Sequence, residues 1–304
     1  MPSRTVHISE KGMRLERFMR IHFSDVPFGM IGGLIKRGKL TVDGGQASGD
    51  QPLEPGQVVA IAHRDKPGVP GPSASRAQAT QRALPQAERD FLTSITLYED
   101  DDIIAFDKPS GLAVHPGSKV TRDLDSLLIR YVPHGAERPV LAHRLDKDTS
   151  GVIIAAKRKD VAQALGKAFA GHDVEKEYRA IVAGVPDVTA GGDIIDIAIA
   201  KQETPKGGRM MAVDPASAGA QAARTRMSIV AAYGDRAHVA LSPETGRQHQ
   251  LRVHMQLIGH PILGDVLYGD AATAPRLMLH AYRLRFRHPS RGWMDVEAPL
   301  PEGF

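Results

Sequence analysis

His143-Arg144-Leu145-Asp146-Lys147-Asp148-Thr149-Ser150-Gly151, followed at once by Val152-Ile153-Ile154-Ala155-Ala156, is the stretch on which the fold turns. A short apolar run bounded by a polar cluster reads as a buried strand with reactive groups at its mouth. Asp146 and Asp148 stand two positions apart, so on an extended segment they share a side, with Arg144 as a neighbour. Either carboxylate could be the reactive one at this level. Composition alone favours a charged surface turn, so the surrounding chain has to decide.

Working outward toward the C-terminus, Asp160 to Ala170 has the spacing of a helix, with Asp160 placed to cap it. Strands then dominate: Val174 to Val182, Ile194 to Ile199, Ala223 to Val230, Ala237 to Leu241, Leu277 to Phe286 and Trp293 to Glu297. One further helix is expected over about Gln248 to Ile258. Toward the N-terminus, Ile95 to Tyr98 and Ile103 to Phe106 flank the acidic turn Glu99-Asp100-Asp101-Asp102, and a short helix is expected from Leu124 to Val132. Many strands joined by short turns, with few helices, predict an α+β domain built on a mainly antiparallel mixed sheet over residues 93–304. No internal repeat is visible.

Ahead of this domain lies a linker, residues 63–92, rich first in Pro, Gly and Ser and then in Gln, Arg and Ala. Such composition buries little and predicts a flexible tether, with a helical turn or two between Ala77 and Leu84. Residues 1–62 form a small α/β module. Leu15, Phe18, Met19 and Ile21 give one helical face, and a second helix runs from Phe28 to Arg37 after the loop Asp25-Val26-Pro27. Gly38 suits the position just past its end, where Lys36, Arg37 and Lys39 cluster. Cations there also complement the helix dipole, so as bare residues they are equally a solvated helix end. A short strand and turn follow over Leu40 to Gly45, then a turn and strand over Leu53 to Ile61.

The bulk properties narrow the function classes. The chain has 304 residues, 39 Lys and Arg against 35 Asp and Glu, net charge +4, and no cysteine. The length favours two domains. The missing cysteines exclude disulfides, thiolate zinc sites and a cysteine nucleophile. No signal peptide or run of about 18–20 apolar residues is found, so a cytoplasmic protein with no membrane partner is expected. The modest positive surplus is compatible with a polyanionic partner.

Motif spacing excludes further chemistries. No glycine cluster has dinucleotide or phosphate-loop spacing, so no nucleotide cofactor is expected. His249 and His254 are five apart and point roughly 140° away from each other on a helix, which argues against a metal. Ser150 lies in T-S-G, not in a nucleophile elbow. Two features remain. Tyr178 sits among the apolar residues of a strand, where a lone tyrosine is ordinarily core. Gly246-Arg247-Gln248-His249-Gln250-Leu251-Arg252-Val253-His254 gathers cations at a helix start, a place that itself favours anions. The cations there call for a buried carboxylate or a phosphate as counterpart.

Taken together, H-R-L-D-K-D-T-S-G (143–151), K-E-Y (176–178), T-G-R-Q-H-Q-L-R-V-H (245–254), L-M-L-H-A-Y (277–282) and D-K-P-S-G-L-A-V-H-P-G (107–117) resemble, in order, the motifs of the RluA family of pseudouridine synthases. The resemblance covers essentially residues 95–300. Residues 13–62, with R-L-x-x-F, I-x-x-L-I-x-x-G-x-L-x-V-x-G and L-x-x-G-x-V-x-x-I, resemble the S4 RNA-binding module. The layout is similar to members that act on large-subunit (23S) ribosomal RNA.

The resemblance implies a cofactor-free isomerisation of uridine to pseudouridine. In it Asp146 attacks the target, the Tyr178 ring lies against the uracil and takes part in proton transfer, Arg247 pairs with Asp146, and Arg144 fills the space left by the flipped base. At these four positions the chain does not depart from the family pattern. Lys36, Arg37, Lys39, His249 and Arg252 are the further candidates for RNA contact. A monomer is expected. A transfer RNA substrate, or a non-catalytic role in ribosome assembly, is the alternative.

The chemistry agrees with these residue types. Breaking a glycosidic bond and re-forming it through carbon involves no redox change and no phosphoryl transfer. A carboxylate can serve as nucleophile or stabilise a sugar cation, and an arginine partner favours its ionised form. A uridine in folded RNA must first leave its stack at a cost of a few kcal/mol. Stacking on an aromatic ring returns about 1–3 kcal/mol.

Overall fold

The structure is a computed structural model. It describes residues 3–7, 10–23, 28–48, 51–61, 84–116, 120–132, 137–171, 173–187, 193–204 and 207–304. The chain divides into two compact units, Met1–Ser75 and Arg76–Phe304.

In the first unit, helices α1 (Leu15–His22) and α2 (Phe28–Lys36) accompany four strands, β1 (Ser3–Thr5), β2 (Leu40–Val42), β3 (Gly45–Gln46) and β4 (Val58–Ile61). The strands form an antiparallel sheet in the order β1-β4-β2-β3. The apolar spacing of α1 delivers Leu15, Phe18 and Met19 into a core with Ile31, Leu40, Leu53 and Val59. Gly38, at φ 63°, ends α2 in the left-handed conformation its position suggested. Asp43 and Gly44, both at positive φ, make the two-residue turn that joins β2 to β3. Strand β1 was not expected: it is three residues of exposed, largely polar sequence, recruited only by pairing with β4. Arg37 and Lys39 are exposed. The Lys36 side chain and the loop at 25–27 lie outside the described residues.

The expected tether gives way to structure before residue 92. Helix α3 (Gln86–Ser94) buries Leu92, and Leu84 just before it is also buried. The Gln/Arg/Ala composition that read as linker is that of an amphipathic helix with a narrow apolar stripe. The helical turns expected within 77–83 lie outside the described residues.

The second unit is built on a ten-stranded mixed sheet, as expected. In chain order it comprises β5 (Thr96–Glu99), β6 (Ile103–Lys108), α4 (Leu124–Tyr131), β7 (Val140–Leu141), β8 (Ser150–Ala156), α5 (Lys159–Ala170), β9 (Glu175–Ala183) and β10 (Ile194–Asp196). There follow β11 (Ile199–Thr204), β12 (Gly207–Ala212), β13 (Arg224–Tyr233), β14 (Arg236–Pro243), α6 (Gln250–Leu257), β15 (Leu279–His288) and β16 (Gly292–Glu297). The sheet order is β10-β13-β14-β9-β15-β8-β6-β5, with β16 beside β15 and β7 beside β8. Every ladder is antiparallel except β8 with β15, which is parallel and short. The single strand expected over Ile194 to Ile199 is two: β10 belongs to this sheet, while β11 leaves it to pair with β12.

The apolar run after Gly151 is explained by layering. All seven residues of β8 are buried. Ile153 and Ala155 face a core with Leu124, Leu127 and Leu128 of α4. Val152, Ile154 and Ala156 face Val161 and Leu165 of α5. A strand covered on both sides loses its alternation and reads as continuous apolar sequence. Across the sheet, β9, β13 and β14 pack Ala180, Val182, Met227, Val239 and Leu241 against Leu251 and Met255 of α6.

Helix α5 begins one residue before the expected boundary. Arg158, not Asp160, is its N-cap, without a side-chain cap bond. Asp160 lies in the first turn and is held by Arg158 at 3.0 Å, because a guanidinium two residues away competes for the carboxylate.

Candidate active site

Asp146 lies in the irregular segment between β7 and β8, at the edge where the two halves of the sheet meet. The local chain is pinned from several sides. Leu145 is buried in the core under α4. The His143 Nε2 accepts the Ile154 N–H at 3.1 Å, and its ring stacks on Phe169 of α5 at 4.4 Å. Burial, with the Lys176 charge nearby, pushes the His143 pKa down to about 3, so the ring is a neutral strut. After Asp146 the chain turns at Lys147–Asp148, so the extended geometry that would align the two aspartates is not formed. The Asp148 carbonyl accepts Ser110 Oγ at 2.7 Å, and the Lys147 carbonyl accepts both the Gly111 N–H and the Lys108 ammonium. Lys108 is fully buried and also donates to the Pro109 and Leu112 carbonyls. Burial lowers its pKa to about 8. The D-K-P-S-G-L segment thus clamps the loop that carries Asp146.

A cleft of about 580 Å³ opens over this segment. Five of the expected residues line it with Asp146: Arg144, Tyr178, Arg247, His249 and Arg252. Lys36, Arg37 and Lys39 belong to the other unit.

The cation facing Asp146 is not the expected one. Arg252 Nη1 lies 3.7 Å from Asp146 Oδ2, and His249 Nε2 lies 3.8 Å from the same oxygen. Arg247 is exposed at the cleft wall, where its Nε donates to the Ala222 carbonyl at 3.0 Å. The reason is helical geometry. Arg247 precedes α6, whereas Arg252 occupies its first turns on the face turned inward with Leu251 and Met255.

Arg252 is 4% exposed and does not rely on Asp146 alone. Asp265, 1% exposed, takes its Nε and Nη2 in a bidentate pair at 2.7 Å each. The Asp265 Oδ1 also accepts the Leu267 and Tyr268 N–H groups. Burial pulls the Arg252 pKa down, but Asp265 outweighs it and holds the guanidinium above its ordinary range. Burial likewise opposes ionisation of Asp265, and its bonds from Arg252 and the backbone more than offset it, keeping the carboxyl below its ordinary value.

His249, the N-cap of α6, sits at φ 55°. A non-glycine residue held in the left-handed region is a strained feature of the kind that clusters at functional sites. Its Nδ1 is 2.9 Å from the Tyr268 hydroxyl, which aims Nε2 toward Asp146. Burial lowers the His249 pKa, partly offset by the Asp146 charge.

Tyr178, on β9, packs against the cores of both halves of the sheet. Burial, with the Asp146 charge close by, holds its phenol well above the usual range. The phenol therefore stays protonated. Arg144 is exposed, and its guanidinium has no hydrogen-bond or ion-pair partner among the described residues.

Two further members of the dense 245–254 motif, Gln250 and His254, are structural. Gln250 accepts from the Thr245 hydroxyl and the Arg247 N–H and donates to the Arg224 carbonyl and Thr225 Oγ1. His254 spans Thr225 Oγ1 and the Ile197 carbonyl. Burial lowers its pKa. Among the described residues no group of three or more His, Cys, Asp or Glu is placed to hold a metal ion. No helix among them is long and apolar enough to cross a membrane.

Asp265 and Tyr268 were missed from the sequence. Their signal was present in Gly264-Asp265-Val266-Leu267-Tyr268-Gly269, a carboxylate and a tyrosine between turn glycines just after a basic helix. Gly264, at φ 71°, is irreplaceable there, since a Cβ would lie 1.9 Å from the Arg276 carbonyl oxygen.

The chain is similar to known proteins in both sequence and fold. The family described as RNA pseudouridylate synthase matches residues 102–257. The chain is similar to the ribosomal large subunit pseudouridine synthase C of Haemophilus ducreyi, 33% identical over 97% of this chain and 91% of that protein. It is 34% identical to the protein of the same name from Escherichia coli K12, again over 97% and 91%. Among solved structures it resembles human RNA pseudouridylate synthase domain containing 4 (TM-score 0.59, 30% identity, 75% of this chain and 94% of that one). It also resembles human RNA pseudouridylate synthase domain containing 1 (TM-score 0.54, 27% identity, 67% and 82%).

Proposed function

The chain belongs to the RNA pseudouridylate synthase family, in its RluA branch, and from that premise we propose that it isomerises uridines of large-subunit ribosomal RNA with Asp146 as the reacting carboxylate. The observation that carries the assignment of Asp146 is its position in the cleft, with Arg252 and His249 against one oxygen and Tyr178 beside it. The ribosomal substrate rests on the relatives named above.

In the reaction the N1–C1′ bond breaks, the uracil turns, C5 bonds to C1′, the C5 proton leaves and N1 gains one. Asp146 stabilises or traps the separated sugar or ring. Arg252, itself locked by Asp265, holds a fixed positive charge 3.7 Å from the Asp146 carboxylate without having to reorganise. Tyr178, kept protonated, offers its ring to the uracil and a donor to an oxygen; in its resting form it is not the group that removes the C5 proton. Arg144, with no hydrogen-bond or ion-pair partner among the described residues, enters the RNA where the uridine has left its stack. No step needs a cofactor. Residues 1–62, with exposed Arg37 and Lys39, serve as an S4-like RNA-binding module, and the protein works as a monomer in the cytoplasm.

The test is tritium release from large-subunit RNA labelled at uracil C5. Wild-type protein should release tritium, and Asp146→Asn should bind the same RNA with unchanged affinity and release none. Equal release by both proteins would remove Asp146 from the chemistry. Release from transfer RNA but not ribosomal RNA would change the substrate.

A further inference from the structure

Beside the cleft lies a second cavity, of about 600 Å³, that this chemistry leaves unused. Gln248 and His249 line both cavities, so the two are neighbours across a single turn of chain. The far wall of the second is the β11–β12 hairpin, with Lys201, Arg209 and Met211, and its floor is the 266–269 loop.

Three features of this cavity point the same way. First, it is rimmed by apolar groups in water: Val266 is 66% exposed, Met211 44% and Leu267 43%. Second, its lining contains two cations and no carboxylate. Lys201 is shared with Glu203 at 3.5 Å, but Arg209 has no ion-pair partner among the described residues. The Arg209 guanidinium instead lies over the Tyr268 ring at 4.5 Å, and its buried Nε has no hydrogen-bond partner among the described residues. Third, Tyr268 is the residue that orients His249 toward Asp146. A flat apolar rim, a stacked guanidinium and unneutralised positive charge suit the face of a base with its phosphate.

We infer that this cavity receives the base of a nucleotide flanking the target uridine, so that the enzyme grips two unstacked bases on either side of Gln248 and His249. The inference rests on the RNA-modifying reading above and adds a specificity site to it.

The test uses labelled ribosomal RNA fragments, each with one abasic nucleotide at a position from three before to three after the target. With wild-type protein, KM should rise about tenfold at one flanking position, with kcat held. Arg209→Ala and Val266→Asp should raise KM on intact RNA by a similar factor and lose the sensitivity at that position. Val266 is a surface residue, so its variant stays folded even if removal of Arg209 loosens the hairpin. A flat wild-type response across the flanking positions, or full position dependence in both variants, would overturn the inference. Absence of tritium release from every fragment would instead overturn the ribosomal-substrate reading, and this inference with it.

Discussion

At the scale of the residue, the central point is which arginine serves Asp146. Motif matching placed Arg247 there, and the fold places Arg252. The two make different predictions. Arg252→Ala leaves Asp265 buried without its counter-ion, which should cost about 3–5 kcal/mol of stability and abolish turnover. Arg247→Ala removes an exposed side chain, so its melting temperature should stay within a few degrees of wild type while KM for RNA rises. Thermal melts together with tritium-release kinetics separate the two, and the opposite ranking would return the role to Arg247. Asp265 itself links the site to acid stability. Its folded pKa lies below the ordinary 3.8, so its contribution is present above that value and is lost as pH falls through the lower, folded pKa.

At the scale of the element, the decisive contact is the parallel join of β8 and β15, which unites the two halves of the sheet. Gly151 sits there at φ 110°, and a Cβ would lie 2.2 Å from the Ala281 carbonyl oxygen. Gly151→Ala should therefore cost more than about 4 kcal/mol and leave little folded protein, as judged by soluble yield and circular dichroism. An alanine variant melting within a few degrees of wild type would show that the join can shift.

The same join carries a pH signature. The Ser150 hydroxyl bonds His280 Nδ1 at 2.9 Å, and the His280 Nε2 faces the Ala298 carbonyl. Burial pushes the His280 pKa from 6.5 down to about 4. A buried neutral imidazole gives full stability above pH 6.5. That stability is lost as pH falls from 6.5 toward 4, where the unfolded chain takes up a proton and the folded chain does not. The loss from this group should reach about 3 kcal/mol. Denaturant titrations at several pH values should show the slope, and His280→Asn should flatten it, leaving the part due to His143.

At the scale of the whole molecule, the chain has two units, the first with a core of its own. If the first unit supplies backbone contacts to RNA, Arg37→Glu combined with Lys39→Glu should weaken RNA binding and lower the slope of log affinity against log salt by about 1–2. The same double variant should leave kcat at saturating RNA unchanged, because neither residue lies in the unit that holds Asp146. A fall in kcat with an unchanged salt slope would contradict this division.

The sequence by itself was enough to determine the mixed sheet, the buried strand after Gly151 and the family. These are written in local patterns: an apolar run, turn residues and long contiguous motifs. It also singled out Asp146 and Tyr178, each inside such a motif, and the structure brings both to one cleft. It did not determine that α3 replaces the end of the linker, because a narrow apolar stripe becomes a helix only when Leu92 has a core to enter. Nor did it determine that Gly151 is a point of strand contact and not merely a turn, since Ala281 approaches from 130 residues away in sequence. The choice of Arg252 over Arg247 belongs to the tertiary structure for the same reason. Both arginines stand in one motif, and only the inward face of α6, meeting Asp265 and Asp146 from two other segments, tells them apart.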